Sequence, residues 1–255
     1  MAVIPMKSND YVDDDFETVI QQTLPFFLLL MYLVPVFRLI SRIVSEKETK
    51  AREGMKMMGL KDFPYWLSWF VYYFTIMTLI SLVSLLIVAG SVFEYSNKGY
   101  VFLFFWLYGA SLFGFSVFVS SLFFRARVAS ISGTLLYFIS SFADAAVADT
   151  SVSEGAKTAA SLLPTVSIYR GCNNLGKYEA SGIGVTSENA SDLYENYRFS
   201  TTMWTLTVSF IILTLLGLYL DNVLPSAYGV RKPWYFLFTK SYWAGYDKDE
   251  LEKRK

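Results

Sequence analysis

The stretch Gly99–Phe124, GYVFLFFWLYGASLFGFSVFVSSLFF, holds no charged residue, and the chain turns basic directly after it at Arg125 and Arg127. A helix needs roughly 20 apolar residues to cross the hydrocarbon core of a bilayer, and this run exceeds that length. Three more uncharged runs reach it: Thr18–Phe37, Pro64–Phe93 and Phe199–Leu220. Val128–Ala143 is shorter, and it spans if Asp144 and Asp149 sit at the far interface. Buried core helices of a soluble domain are the alternative, but successive runs of this length exceed what a chain of 255 residues can bury. The composition agrees: 54% hydrophobic residues and a mean hydropathy of +0.38 are too apolar for an ordinary soluble domain. The expected fold is an all-α polytopic membrane protein. About five transmembrane helices are expected, near 22–44, 64–92, 99–123, 128–148 and 200–221, giving an integral, multi-pass localisation in a plasma or organelle membrane.

Several function classes are closed by what the sequence lacks. Net charge is zero, so no global field favours nucleic acid as a partner. There is no histidine, and Cys172 is the single cysteine. A lone thiol forms no internal disulfide, and without histidine there is no Ser-His-Asp triad and no usual zinc site. No Gly-x4-Gly-Lys-Ser/Thr phosphate loop is present either, so these residues carry no nucleotide-hydrolysing machinery. The expectation is therefore no catalytic, cofactor-binding or metal-binding residue in this chain.

Sidedness follows from the basic residues. Of the 22 lysines and arginines, sixteen lie in the first loop (Arg38 to Lys61), at Arg125 and Arg127, or after Leu220; six lie on the other side. The positive-inside rule places the larger set in the cytoplasm, and five crossings alternate accordingly. The acidic Asp10–Glu17 is then the end of an outer or lumenal region, residues 1–17, while 223–255 are cytoplasmic. The sequon Asn189-Ala-Ser191 falls outside, where glycosylation of Asn189 is open. Tyr65, Trp66 and Trp69, and Tyr95 with Tyr100, mark the interfaces. Ala110 with Gly114, and Ala129 with Gly133, have the small-xxx-small spacing of close helix contacts. Pro25 and Pro35 lie within the first span, each without an N–H to donate. The run Ala159–Tyr169 is apolar but too short to cross, and Pro164 interrupts it. Such a segment lies in the interface or dips in and returns; an ordinary amphipathic loop helix is the alternative.

Between the first two spans sits Ser45–Gly59, SEKETKAREGMKMMG. Ser45 and Glu48 have capping-box spacing. Glu46 with Lys50, and Glu48 with Arg52, are opposite charges four apart in the favourable order. Val44, Ala51, Met55 and Met58 recur at helical spacing as an apolar stripe, and Gly59 can end the helix. A short charged helix at 45–59 with a methionine stripe either lies on the bilayer or docks into a soluble partner.

Glu46–Leu60, followed by Trp66-Leu-Ser-Trp-Phe70, resembles the subfamily A ABC transporters, which move lipids. Tyr228–Phe236 with Thr239–Trp243 is similar to that family's lead into its ATP-binding domain, and Tyr11–Asp14 fits as well; Leu237 departs from a usual proline. The resemblance covers nearly the whole chain. It implies an ABC-2 type exporter transmembrane domain, spans two to six of a six-span unit, with the family's first span, large outer domain and nucleotide-binding domain having no counterpart in these residues. It also implies an outer, re-entrant helical hairpin at 151–180, and a coupling helix at Glu46, Glu48, Lys50, Ala51, Arg52, Met55 and Met58. The expected partners are the lipid bilayer, a lipid substrate, a nucleotide-binding domain holding ATP and Mg, and a second transmembrane half. A truncated or degenerate membrane scaffold and an ATP-independent channel or scramblase-like element are the other readings. The near absence of ionisable residues within the spans weighs against a channel.

Overall fold

The computed structural model describes residues 15–90, 92–149, 152–193 and 197–224, with only the helical backbone given for 15–22. Tyr11–Asp14, Tyr228–Phe236 and Leu237 lie outside the described residues. Eight α-helices are described: α1 Asp15–Glu48, α2 Ala51–Met57, α3 Asp62–Val88, α4 Lys98–Leu122, α5 Ala126–Ser141, α6 Glu154–Ala160, α7 Pro164–Ala180 and α8 Phe199–Val223. A 3-10 segment, Phe142–Val147, extends α5. Five of these helices are long and apolar enough to cross a membrane: α1, α3, α4, α5 with its 3-10 extension, and α8.

α4 stands at the centre, in contact with α1, α3, α5, α7 and α8. Its sequence explains this. Gly109, Ala110, Ser111, Gly114, Ser116, Ser120 and Ser121 keep the helix slender and are all buried, so neighbours approach closely from every side. Their hydroxyls are satisfied within the helix: Ser111 donates to the Tyr108 carbonyl at 2.7 Å and Ser116 to that of Leu112 at 2.8 Å. α3, by contrast, presents Leu67, Val71, Leu79, Leu82, Leu86 and Ile87 outward, the lipid-facing side of a helix apolar all round.

The Ala110–Gly114 and Ala129–Gly133 pairs both lie at packed contacts. A Cβ on Gly114 would come within 2.8 Å of the Phe210 carbonyl on α8, and one on Gly133 within 2.7 Å of Ile40 on α1. Near mid-span, tyrosines tie four helices together. Tyr32 (α1) donates to the Phe105 carbonyl (α4) at 3.2 Å and lies 3.1 Å from the Ser81 hydroxyl (α3). Tyr137 (α5) donates to the Leu29 carbonyl (α1) at 2.9 Å, and its hydroxyl lies 2.7 Å from that of Tyr108. In an apolar medium such bonds have no competing water.

At the end of the bundle away from α2, α6 runs from beside Arg198 to the turn at Leu162, and α7 comes back to Tyr95 and Ser96. Pro164 does not interrupt a helix; it opens one, standing in the first turn of α7, where the missing N–H has no partner to lose. The turn between them is held by Ser209, whose hydroxyl donates to the Leu162 carbonyl at 2.6 Å. Ser209 is ten residues into α8, so at 1.5 Å per residue the turn lies about 15 Å along that helix. Leu162 and Leu163 are exposed there. Asp144 accepts from Arg170 Nε at 2.6 Å, tying the 3-10 segment to α7.

The two ends of the bundle give a topology test. Met57 and Glu94 are exposed at opposite ends, and the native Cys172 is buried. In intact cells, an impermeant maleimide is expected to label Glu94→Cys at once and Met57→Cys only after permeabilisation. Labelling of Met57→Cys from outside would overturn the sidedness read from the basic residues.

Candidate functional site

The charged stretch is built differently from its sequence reading. α1 does not stop before Ser45; it runs on to Glu48, so Ser45 is an interior residue and no capping box forms. The break comes at Lys50, in the left-handed region with φ 58°, and α2 starts at Ala51. With the helix interrupted at Lys50, the four-apart pairs do not share one helix. Glu46 accepts instead from the Tyr65 hydroxyl at 2.8 Å, and Glu48 from the Ala126 backbone N–H at 2.8 Å. Each acid thus clips the end of α1 to the start of another span.

Arg52 and Lys47 converge on Asp221, at the end of α8. Lys47 Nζ lies 2.5 Å from Asp221 Oδ1 and donates to the Ser120 carbonyl at 2.8 Å. Arg52 contacts Asp221 Oδ2 at 2.5 Å and Asp62 at 3.4 Å. Lys56 pairs with Asp62 as well. The Arg52 guanidinium also lies over the rings of Tyr65 and Trp66, 4.7 and 5.4 Å from their centroids. The Asp221 side chain is 5% exposed, and those of Lys47 and Arg52 are 15% and 11%. Burial by itself would lower the Arg52 pKa, but the Asp221 carboxylate beside it outweighs that and raises it, so the guanidinium stays charged. Asp221 and Asp62 were not among the candidate residues. Their signal was their place: each is the acid that bounds an apolar run, where a charge borders the membrane and meets the opposite sign.

The apolar stripe divides into two sets. Val44 is buried, and Met55 and Leu60 pack against the core. Ala51 and Met58 are exposed, the latter 83%, and Met57 beside it is 86% exposed. Two residues on a helix turn through about 200°, so Met57 faces away from the bundle that Met55 touches. Gly59, at φ 99°, ends α2: its N–H bonds the Lys56 carbonyl at 3.0 Å, and the Leu60 N–H bonds that of Met55 at 3.0 Å. That is a Schellman closure, and the Met55–Leu60 pair supplies its hydrophobic contact. Phe63, just beyond, is also exposed. The site is therefore a short helix locked to α1, α3 and α8 on its inner side, with Met57, Met58 and Phe63 displayed outward.

The ABC-2 family transporter protein profile matches residues 2–220 of this chain. The chain belongs to the ABC-2 transporter family. Among curated proteins, this ABC-2 chain is 33% identical over 244 residues to phospholipid-transporting ATPase ABCA7 of Homo sapiens, covering 92% of this chain and 11% of the relative. It is 32% identical over 247 residues to retinal-specific phospholipid-transporting ATPase ABCA4 of Mus musculus, covering 92% and 10%. With ATP-binding cassette sub-family A member 2 of Homo sapiens it shares 29% over 250 residues, covering 94% and 10%. The chain thus spans about a tenth of the length of these relatives. It corresponds to the ABC-2 transmembrane part of a subfamily A transporter.

Asn189 lies in the loop between α7 and α8 of the ABC-2 bundle. Its Nδ2, the atom a glycan would occupy, donates to the Gly184 carbonyl at 2.7 Å, while its Oδ1 accepts from the Thr186 N–H at 2.7 Å. The side chain braces a turn that packs directly on Tyr95 and Ser96: Gly184, at φ 65°, meets their backbone so closely that no Cβ fits. Glu179 completes this brace, accepting from the Tyr95 N–H at 2.5 Å and the Ser96 hydroxyl at 2.6 Å.

Proposed function

We propose that this chain is the transmembrane part of an ATP-driven phospholipid exporter or flippase, with α2 as the coupling helix that receives a nucleotide-binding domain. The observation that carries the reading is the two-sided α2. Its inner face is immobilised by the Arg52–Asp221 and Met55 contacts, and its outer face shows Met57 and Met58 with no cover among the described residues. A rigidly mounted helix with exposed methionines transmits force into the spans it is clamped to, and methionine surfaces suit a docking partner. A helix lying on the bilayer is supported less well, because Met57 faces away from the bundle rather than along it. ATP and Mg would be bound by a separate nucleotide-binding domain, since the sequence has no phosphate loop. The second transmembrane half would complete the pathway. The lipid class comes from the two relatives named as phospholipid-transporting ATPases. The outer α6–α7 turn, about 15 Å along α8, is read as a re-entrant hairpin.

Met55→Asp would attack the bundle itself, so the informative variants are Met57→Asp and Met58→Asp in the full-length protein. A charge buried at the contact costs about 1–3 kcal/mol. Expression and membrane insertion are expected to stay normal, while phospholipid-stimulated ATP turnover and transport in reconstituted vesicles fall several-fold or more. Undiminished stimulation in both variants would reject α2 as the coupling element.

A further inference from the structure

Beside the clamped end of the bundle, α1 and α3 contact one another little and leave a groove of about 190 Å³. Its wall is apolar, including Val34, Leu39 and Ile76, with Tyr72 toward the basic end and the side chains of Arg38 and Arg42 at its edge. Both arginines are exposed. Arg38 stands ten residues before the end of α1 and Arg42 six, about 15 and 9 Å along the helix from its basic end. They therefore stand toward the basic end of α1, just past the uncharged run Thr18–Phe37.

Their surroundings differ from those of the cations clamped at Asp221 and Asp62. Lys47, Arg52 and Lys56 all reach a carboxylate. Among the described residues, Arg38 and Arg42 make no ion pair; Arg42 has only the Tyr72 ring, 5.9 Å from its guanidinium. Basic hollows between spans near this boundary of a membrane suit anionic headgroups. Guanidinium groups are also the side chains best matched to phosphate oxygens.

We propose that this groove is a binding site for an anionic glycerophospholipid of the basic-side leaflet, its phosphate between Arg38 and Arg42 and one acyl chain along Val34, Leu39 and Ile76. Two guanidinium charges favour phosphatidylserine over phosphatidylcholine, because the choline cation is repelled where the serine headgroup keeps a net negative charge. The site requires only that the chain spans the bilayer; it holds whether or not the protein exports lipid.

The experiment uses the native full-length protein in nanodiscs, with phosphatidylserine carrying a photoactivatable acyl chain. Crosslinks are expected on Val34, Leu39 or Ile76, competed by unlabelled phosphatidylserine on the order of tenfold better than by phosphatidylcholine. The double variant Arg38→Gln/Arg42→Gln is expected to lose that preference, and Arg38→Lys/Arg42→Lys to retain much of it. Because both side chains are exposed, the fold should tolerate either variant. The site is overturned by crosslinks that avoid the groove in the unmodified protein, as when another protein segment covers it. Equal competition by the two lipids, or a preference that survives the double glutamine variant, overturns it equally.

Discussion

Asp221→Asn is expected to destabilise the basic end of the bundle by about 3–5 kcal/mol, the cost of leaving buried charges without their counter-ion. Asp221 is the shared anion of Lys47 and Arg52, each within 2.5 Å of one of its oxygens. The amide keeps the size and one acceptor but removes the charge, and both cations remain largely buried. Removing one of them as well should relieve part of the loss, so Lys47→Met/Asp221→Asn is expected to be less destabilised than the sum of its single variants. Equilibrium denaturation in bicelles reads the difference. On the proposed coupling role of α2 a functional consequence accompanies it: with Arg52 released, α2 loses its anchor on α8, and lipid-stimulated ATP turnover in the full-length protein should fall even where the protein still inserts. A wild-type stability for Asp221→Asn would show that the pair is solvated and contributes little.

The second large effect is expected at Gly217. α8 packs on α4 more extensively than any other pair of helices, and at Gly217 it lies directly against the α4 backbone. A Cβ there would stand 2.7 Å from the Phe118 N and 2.8 Å from the Val117 carbonyl carbon. Backbone cannot swing aside as a side chain can, so the helices must separate. Overpacking of this kind costs about 1–3 kcal/mol for small additions and more when backbone must move; Gly217→Val should therefore lie at or beyond the upper end. Gly217→Ala should be milder, and Gly90→Ala, where a Cβ meets nothing, should be nearly neutral. Cooperative loss of the folded monomer on heating in detergent orders the three. If Gly217→Val matches Gly90→Ala, the close α4–α8 approach is absent.

The order of predicted effects reflects what each residue touches, and it separates what was legible in the sequence from what was not. Gly217 carries no signal in its own run of apolar neighbours, whereas Gly114 does, through its spacing from Ala110. Met55 and Met58 read as one stripe, yet the Schellman turn at Gly59 draws Met55 inward with Leu60 and leaves Met57 and Met58 outside. Ser45 and Glu48 match a capping box letter for letter, but α1 is already helical there and its propagation costs less than a new nucleus.

Hydropathy alone pointed to five helices long and apolar enough to cross and to their order, because the bilayer makes every backbone polar group pair locally and so ties apolar length to helix length. The sequence likewise located the charged segment between the first two spans. Only the tertiary structure decided that the helix breaks at Lys50, that Arg52 turns from Glu48 to Asp221, 169 residues away, that α4 is the central helix, and that the α6–α7 turn reaches Ser209. The reason is physical. Solvation by lipid is a property of each segment by itself, whereas a counter-ion, a glycine contact or a groove between two helices exists only once separate segments have packed.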